Sequence, residues 1–220
     1  MVDKALVEYL ESFLTEKRRE RFKNILAHRT NHFTVATEDV YQLHNTSAVM
    51  RSCEIFGLQN LHVIEEINTK NIDREIAMGA QKWVDLNRHH SVEKCISQLK
   101  SQGYRIIATT PHNNSSLLED FNVTKKACFF FGRETEGLSD IVLKQADEFL
   151  KIPMYGFTES LNISVSASII LQEATRKLRN SKEIKWKLTE KEQWQKRMDW
   201  CKQTLKNHEL LIGRYNSELR

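Results

Sequence analysis

Glycine and proline are scarce in this chain, with 7 Gly and 2 Pro in 220 residues. That scarcity argues against a disordered or low-complexity protein, since such chains draw heavily on both. Cysteine is also sparse. Cys53, Cys95, Cys128 and Cys201 lie far apart and form no C-x-x-C pair, so their spacing suggests neither a disulfide framework nor a metal site. Three of them sit in apolar surroundings and read as small core residues, which fits a reducing, cytoplasmic compartment. No apolar run approaches the roughly 18 residues that span a bilayer, so no membrane partner is expected. The first 24 residues are charged and amphipathic, unlike a secretory leader. What remains is an ordinary globular composition, 40% hydrophobic and 28% charged, long enough to bury a substantial core.

The charge is unevenly spread. The net charge is +4, but residues 177–220 hold 12 Lys/Arg against 6 Asp/Glu, while the other 176 hold 21 against 23. A second basic knot lies at Lys17-Arg18-Arg19-Glu20-Arg21. Concentrated positive charge favours a polyanionic partner, although any single run of charge also reads as a solvated helix face.

Apolar residues at Leu6, Leu10, Phe13 and Leu14, then at Phe22, Ile25 and Leu26, have helical spacing and predict two short helices over 3–28. Strands are expected at Phe33–Val40, Leu61–Ile64, Trp83–Leu86, Arg105–Thr109, Cys128–Phe131 and Phe149–Ile152. Helices lie between them: one capped by Asn45 and ended by Gly57, one from Ser91 to about Ser101, one capped by Ser139, and a long one from Ser164 to about Leu178. Alternating strands and helices predict an α/β fold, a mostly parallel sheet with helices on both faces. Beyond about Asn180, Trp186, Trp194 and Trp200 are scattered through Lys/Glu/Gln-rich sequence without strand signal, which predicts a helical extension of one or two helices. No internal repeat is present. The expected division is a helical extension over 1–28, an α/β domain over 29–178 and a basic helical extension over 179–220.

Three segments carry chemistry. The first is Asn45-Thr46-Ser47-Ala48-Val49-Met50-Arg51, followed by Phe56-Gly57. Arg51 lies about 200° around its helix from Val49, so it points to solvent or a ligand. The second, Gly132-Arg133-Glu134-Thr135-Glu136-Gly137-Leu138-Ser139, leaves a buried strand at its carboxyl end, where open α/β sheets bind ligands. It lacks the GK[ST] ending of a P-loop. The third is Ile152-Pro153-Met154 followed by Ser160-Leu161-Asn162-Ile163-Ser164, a polar entry to an apolar helix whose groups need partners. Taken singly, these are a surface arginine, a tight turn before a capped helix, and a polar N-cap series.

Together, in this order, they resemble the three signature motifs of the SpoU (TrmH) family of RNA ribose 2′-O-methyltransferases, within the SPOUT superfamily. The family pattern runs N-x-S-A-x-x-R…F-G, then G-x-E-x-x-G-[LI]-S, then I-P-M…S-L-N-x-S-x-A. The matches are Asn45, Ser47, Ala48, Arg51, Phe56 and Gly57; Gly132, Glu134, Gly137, Leu138 and Ser139; and Ile152, Pro153, Met154, Ser160, Leu161, Asn162 and Ser164. The resemblance spans roughly residues 15–178. The extensions are similar to those of the tRNA-specific branch, which methylates the D-loop guanosine at position 18. One departure is Leu43, where that branch often has proline; the difference is conformational rather than chemical.

The resemblance implies a deep trefoil knot over about 128–178, bound S-adenosylmethionine, a homodimer with the site at the subunit interface, and no metal. It implies that Arg51 is catalytic. A guanidinium keeps its proton in proteins, so Arg51 is expected to hold a substrate phosphate and stabilise the developing alkoxide. Glu134 and Asn162 would orient Arg51 or the cofactor, and Asn45 and Ser160 would shape the pocket. Thr109, Thr110, Gly132, Ile152 and Leu161 would contact the cofactor. The basic tail would bind tRNA through phosphates. Its tryptophans are expected to pack the fold in preference to stacking on bases. Another tRNA ribose or ribosomal RNA as target, and an RNA-binding protein without catalysis, are the alternatives.

Overall fold

The computed structural model describes residues 2–66, 74–111 and 115–218. In chain order the elements are α1 (Lys4–Ser12), α2 (Glu16–Leu26), β1 (Phe33–Glu38), α3 (Leu43–Ile55), β2 (Asn60–Ile64), α4 (Arg74–Ala77), β3 (Asp85–His89), α5 (Val92–Ser101) and β4 (Arg105–Thr109). They continue with β5 (Ser116–Leu117), β6 (Ala127–Phe131), α6 (Asp140–Gln145), β7 (Glu148–Lys151), α7 (Ile163–Asn180), α8 (Glu190–Thr204) and α9 (His208–Glu218). The chain divides into two compact units, Thr30–Trp186 and a second made of Met1–Arg29 with Lys187–Arg220. The two terminal extensions thus fold with one another.

The larger unit is a seven-stranded sheet in the order β3-β2-β1-β6-β4-β7-β5, with every pairing parallel. Strand β6 takes the centre because Ala127-Cys128-Phe129-Phe130-Phe131 is apolar at every position and buried on both faces, the pattern of an interior parallel strand. Its alternate side chains feed two cores. Phe129 and Phe131 join Phe33, Val35, Leu61, Ile107 and the buried faces of α3 and α7. Cys128 and Phe130 join Ala36, Ile64, Ile106, Ala108 and the faces of α5 and α6. Helices therefore cover both faces of the sheet, as the alternation of elements predicts.

Two expectations need correction. Asn45 does not cap α3: the helix begins at Leu43, its N-cap is Gln42 with no side-chain cap, and Asn45 lies inside the first turn with its amide used elsewhere. The stretch Trp83–Leu86 is only partly strand. A 3-10 turn occupies Ala80–Lys82 and β3 starts at Asp85, because Gly79 in the left-handed region (φ +87) starts a turn that the apolar run hides.

The smaller unit packs Val7, Leu10, Leu14, Phe22, Leu26, Met198, Trp200 and Cys201 out of solvent. Within it Arg197 grips Glu11 through two bonds of 2.6 and 2.5 Å. Trp200 meets Phe22 edge-on at 5.3 Å under the Arg29 guanidinium, and Arg197 lies over Trp194 at 3.8 Å. These tryptophans pack the fold. A capping box at Thr189 and Glu192 starts α8. The unit holds 15 Lys/Arg against 10 Asp/Glu, so both basic segments of the sequence contribute to one positive body.

Phe129 is fully buried where the central strand meets α3 and α7. Phe129→Ala should cost about 3–5 kcal/mol, read as a lower urea midpoint by circular dichroism.

Candidate active site

The three motif segments follow the carboxyl ends of β1, β6 and β7. They converge on one cavity of about 720 Å³, within the range of small-molecule sites, lined by Thr109, Thr110, Gly132, Glu134, Ile152, Ser160, Leu161 and Asn162 among others. Eight of the ten sequence-predicted site residues are in that lining. Asn45 lies behind it and Arg51 outside it.

Asn45 is 1% exposed and joins the three segments. Its side-chain amide donates to Glu134 Oε1 at 2.8 Å, and its carbonyl oxygen accepts from Asn162 Nδ2 at 3.1 Å. Asn162 in turn caps α7, with its Oδ1 accepting from the Ser164 amide at 2.8 Å and the Ser164 hydroxyl at 2.6 Å. Glu134 also accepts from the backbone amides of Tyr41 and Gln42, at 3.0 and 3.2 Å. These are free donors at the start of α3, where the helix dipole favours an anion. Burial acts to raise the Glu134 carboxyl, but the Asn45 amide and these backbone donors outweigh it and hold it below its ordinary value. Glu134 therefore positions α3 and Asn45, and it makes no bond to Arg51.

The second segment closes on itself. Arg133 N–H donates to Gly137 O at 2.9 Å, and Gly137 N–H donates back to Arg133 O at 3.1 Å. A Cβ on Gly132 would lie 2.2 Å from the Gly137 carbonyl carbon, and Gly137 itself has φ +72. The glycine at 132 thus makes room for the loop's own backbone, where the sequence suggested room for a ligand. Glu38, at the end of β1 and 1% exposed, accepts from the Ser139 amide at 3.0 Å. Burial raises its carboxyl despite bonds from Ser139. Glu38 does not line the cavity but braces the end of the second segment from behind; its only sequence signal is a carboxylate at the carboxyl end of a central strand. Glu136, which accepts from the Tyr41 hydroxyl at 3.0 Å, is a site residue that the sequence reading missed.

Helices α3 and α7 approach closely through small residues. Ser52 Oγ and Ser168 Oγ lie 2.8 Å apart, and Ser168 also donates to Ser164 O at 2.8 Å. On the outer side of α3, Arg51 is exposed, and among the described residues it has neither a hydrogen bond nor an ion pair. Thr109 Oγ1 donates to Phe130 O at 2.6 Å, fixing the end of β4 at the cavity floor.

A parallel sheet with a cavity at the carboxyl ends of its strands fits many enzymes; the motif residues narrow it. Residues 32–172 match the model of the SpoU rRNA methylase family, and the chain belongs to that family. It is 38% identical over 208 residues to the tRNA (guanosine(18)-2′-O)-methyltransferase of Borreliella burgdorferi, covering 94% of this chain and 95% of that one. It is 35% identical over 162 residues to the enzyme of the same name from Thermus thermophilus, covering 74% and 84%. The crystal structure of the A. aeolicus TrmH/SpoU tRNA modifying enzyme superposes with a TM-score of 0.79 at 30% identity, covering 86% of this chain and 98% of that one. The AviRb methyltransferase of Streptomyces viridochromogenes, solved in complex with AdoMet, shares the fold with a TM-score of 0.63 at 22% identity, over 72% and 65%.

Gly132→Ala should force the Arg133–Gly137 bridge open. The expected outcome is a loss of about 2 kcal/mol or more of stability together with weakened S-adenosylmethionine binding, measured by thermal denaturation with and without that ligand.

Proposed function

We propose that this protein transfers the methyl group of S-adenosylmethionine to the ribose 2′-hydroxyl of the tRNA guanosine at position 18. The observation that carries the reading is the Glu134–Asn45–Asn162 chain, which joins all three family motifs around one cavity. Relatives that bear this activity by name are 35–38% identical over 74–94% of the chain.

The cavity suits the cofactor. Leu138, Ile152, Leu161 and Ile170 give an apolar wall for adenine, Thr109 and Ser160 give hydroxyls, and Glu136 and Glu159 give negative charge toward a sulfonium cation. When bound, the cofactor supplies an electrophilic methyl group. The protein's part is to place the ribose hydroxyl in line with it and to stabilise the oxyanion that forms. Arg51 takes that role, holding a substrate phosphate and the developing alkoxide. Within one chain it does not line the cavity, so a partner must bring it there. On α7 Val165 is 44% and Ile169 37% exposed, beside Leu161 at 40%. This apolar stripe continues from the cavity wall, as expected of a surface that a second copy covers. In a homodimer the Arg51 of one subunit then serves the cavity of the other. The chain between β6 and α7 carries the trefoil knot of the SPOUT fold, and the smaller unit supplies phosphate contacts. On its helix α2, Lys17, Arg18, Arg21 and Lys23 are all exposed.

Incubation with total tRNA, ribosomal RNA and labelled S-adenosylmethionine, followed by mapping of the 2′-O-methyl group, should place the label at guanosine 18 of tRNA. Label in ribosomal RNA or at another tRNA ribose would move the target, and no label would leave an RNA-binding protein. Arg51→Ala should lower kcat by about 10²–10³-fold with the cofactor Kd unchanged, and Asn162→Ala should weaken the cofactor site. Co-expressed as mixed dimers, these two variants should recover activity that neither has alone; no recovery would place Arg51 over its own subunit's cavity.

A further inference from the structure

The cysteine spacing gives no hint of a metal site, yet among the described residues the fold gathers one candidate set. His62 on β2, His89 at the end of β3 and Cys95 on α5 each offer a ligand atom, and the three atoms lie within 4.8 Å of one another. His62 and Cys95 are 4% and 0% exposed, and His89 is half-buried. The rings stack with centroids 5.2 Å apart, and His62 Nδ1 lies 2.9 Å from His89 Nε2. None of the three lines the cavity. The methyl-transfer chemistry has no use for them.

We propose that His62, His89 and Cys95 form a structural site for a zinc-class divalent ion. In tetrahedral zinc sites, Zn–N is about 2.0–2.1 Å and Zn–S about 2.3 Å, which sets ligand atoms about 3.3–3.6 Å apart. For an ion to replace their shared proton, the imidazole nitrogens, 2.9 Å apart, would part by about 0.4 Å, and the Cys95 sulfur, within 4.8 Å of them, would close by up to about 1.2 Å. Two imidazoles and one thiolate are a borderline-soft set that favours zinc over calcium or magnesium. Burial depresses His62 to about 4 and lowers His89, so both rings are neutral, as ligands must be. Burial pushes the Cys95 thiol up to about 12. Metal binding therefore releases that proton to solvent, and the ion's charge compensates the buried thiolate.

The nearby carboxylates are already engaged. Glu65 holds Arg88 at 2.7 Å, and Glu66 accepts from the Val92 amide at 2.6 Å. The fourth position is left to water, which enters from the sheet edge, where β3 is the terminal strand. The ion would clip that edge strand to β2 and α5.

The test uses the full-length protein, stripped with a chelator and titrated with Co²⁺ as a spectroscopic probe. One Co²⁺ per chain should bind with visible bands of tetrahedral intensity and a near-ultraviolet thiolate charge-transfer band, and Zn²⁺ should abolish both. Cys95→Ser should lose the thiolate band, and His89→Ala should bind Co²⁺ at least about tenfold more weakly. Zn²⁺ should raise the melting temperature of the wild type and leave that of His89→Ala unmoved. His89 sits half-exposed on an edge strand, so its variant keeps the test decisive if Cys95→Ser fails to fold. Co²⁺ binding without a thiolate band, or equal binding by wild type and His89→Ala, would overturn the site and leave a neutral imidazole pair hydrogen-bonded in the core. Neither outcome bears on methyl transfer, which is read separately.

Discussion

One buried amide holds the site together. Asn45 is the third residue of α3, yet its two polar ends face away from its own helix, one to Glu134 and one to Asn162. Those partners lie 89 and 117 residues further along the chain. An amide is suited to this because it donates and accepts at once, so a single side chain satisfies a carboxylate and another amide in a place with little water. Losing either partner would leave a buried polar group unpaired, which costs more than the bond itself contributes. The carboxylate does double duty, since it also receives the amides of Tyr41 and Gln42 just ahead of α3. Helix α3, the glycine loop and the start of α7 are thereby fixed relative to one another, and the cavity is the space they leave.

Much of this could be read from residues. The all-apolar run Cys128–Phe131 announced a strand buried on both faces, and Ser91 and Ser139 announced helix starts that the structure confirms with side-chain caps. Asn45 shows where such reading stops. An asparagine ahead of an apolar stripe has the look of an N-cap, because local rules see only neighbours in sequence, and its true partners are long-range. Gly132 is similar. Its smallness was legible, but the reason for it, the Gly137 carbonyl folded back against it, depends on a loop geometry that spacing does not encode. Glu38 escaped notice because a lone carboxylate at a strand end carries no pattern.

The same limit applies to assembly. Sequence showed two basic regions at opposite ends of the chain, and only the fold shows that they share one compact unit. The Arg197–Glu11 pair within it joins residues 186 apart. Conversely, Arg51 was legible through its motif, and the structure finds it solvent-facing and away from the cavity lining. Asn45, six residues earlier on the same helix, faces inward. One helix thus turns a structural residue into the protein and, on the proposed function, the catalytic one to the outside.

The strand order carries a consequence for how the chain must be made. Strand β6 lies between β1 and β4, both of which precede it in sequence. Before residues 127–131 are available, only β3, β2 and β1 have partners to pair with, and β4 has none, since both its neighbours, β6 and β7, come later in the chain. Unpaired strand edges are open to wrong pairing, and closing them depends on contacts across nearly a hundred residues, which slows folding. The central strand that gives the finished sheet its core is therefore also a late-arriving keystone. During synthesis the nascent protein passes through a stage in which its most hydrophobic surfaces await their partner, when it is most exposed to aggregation.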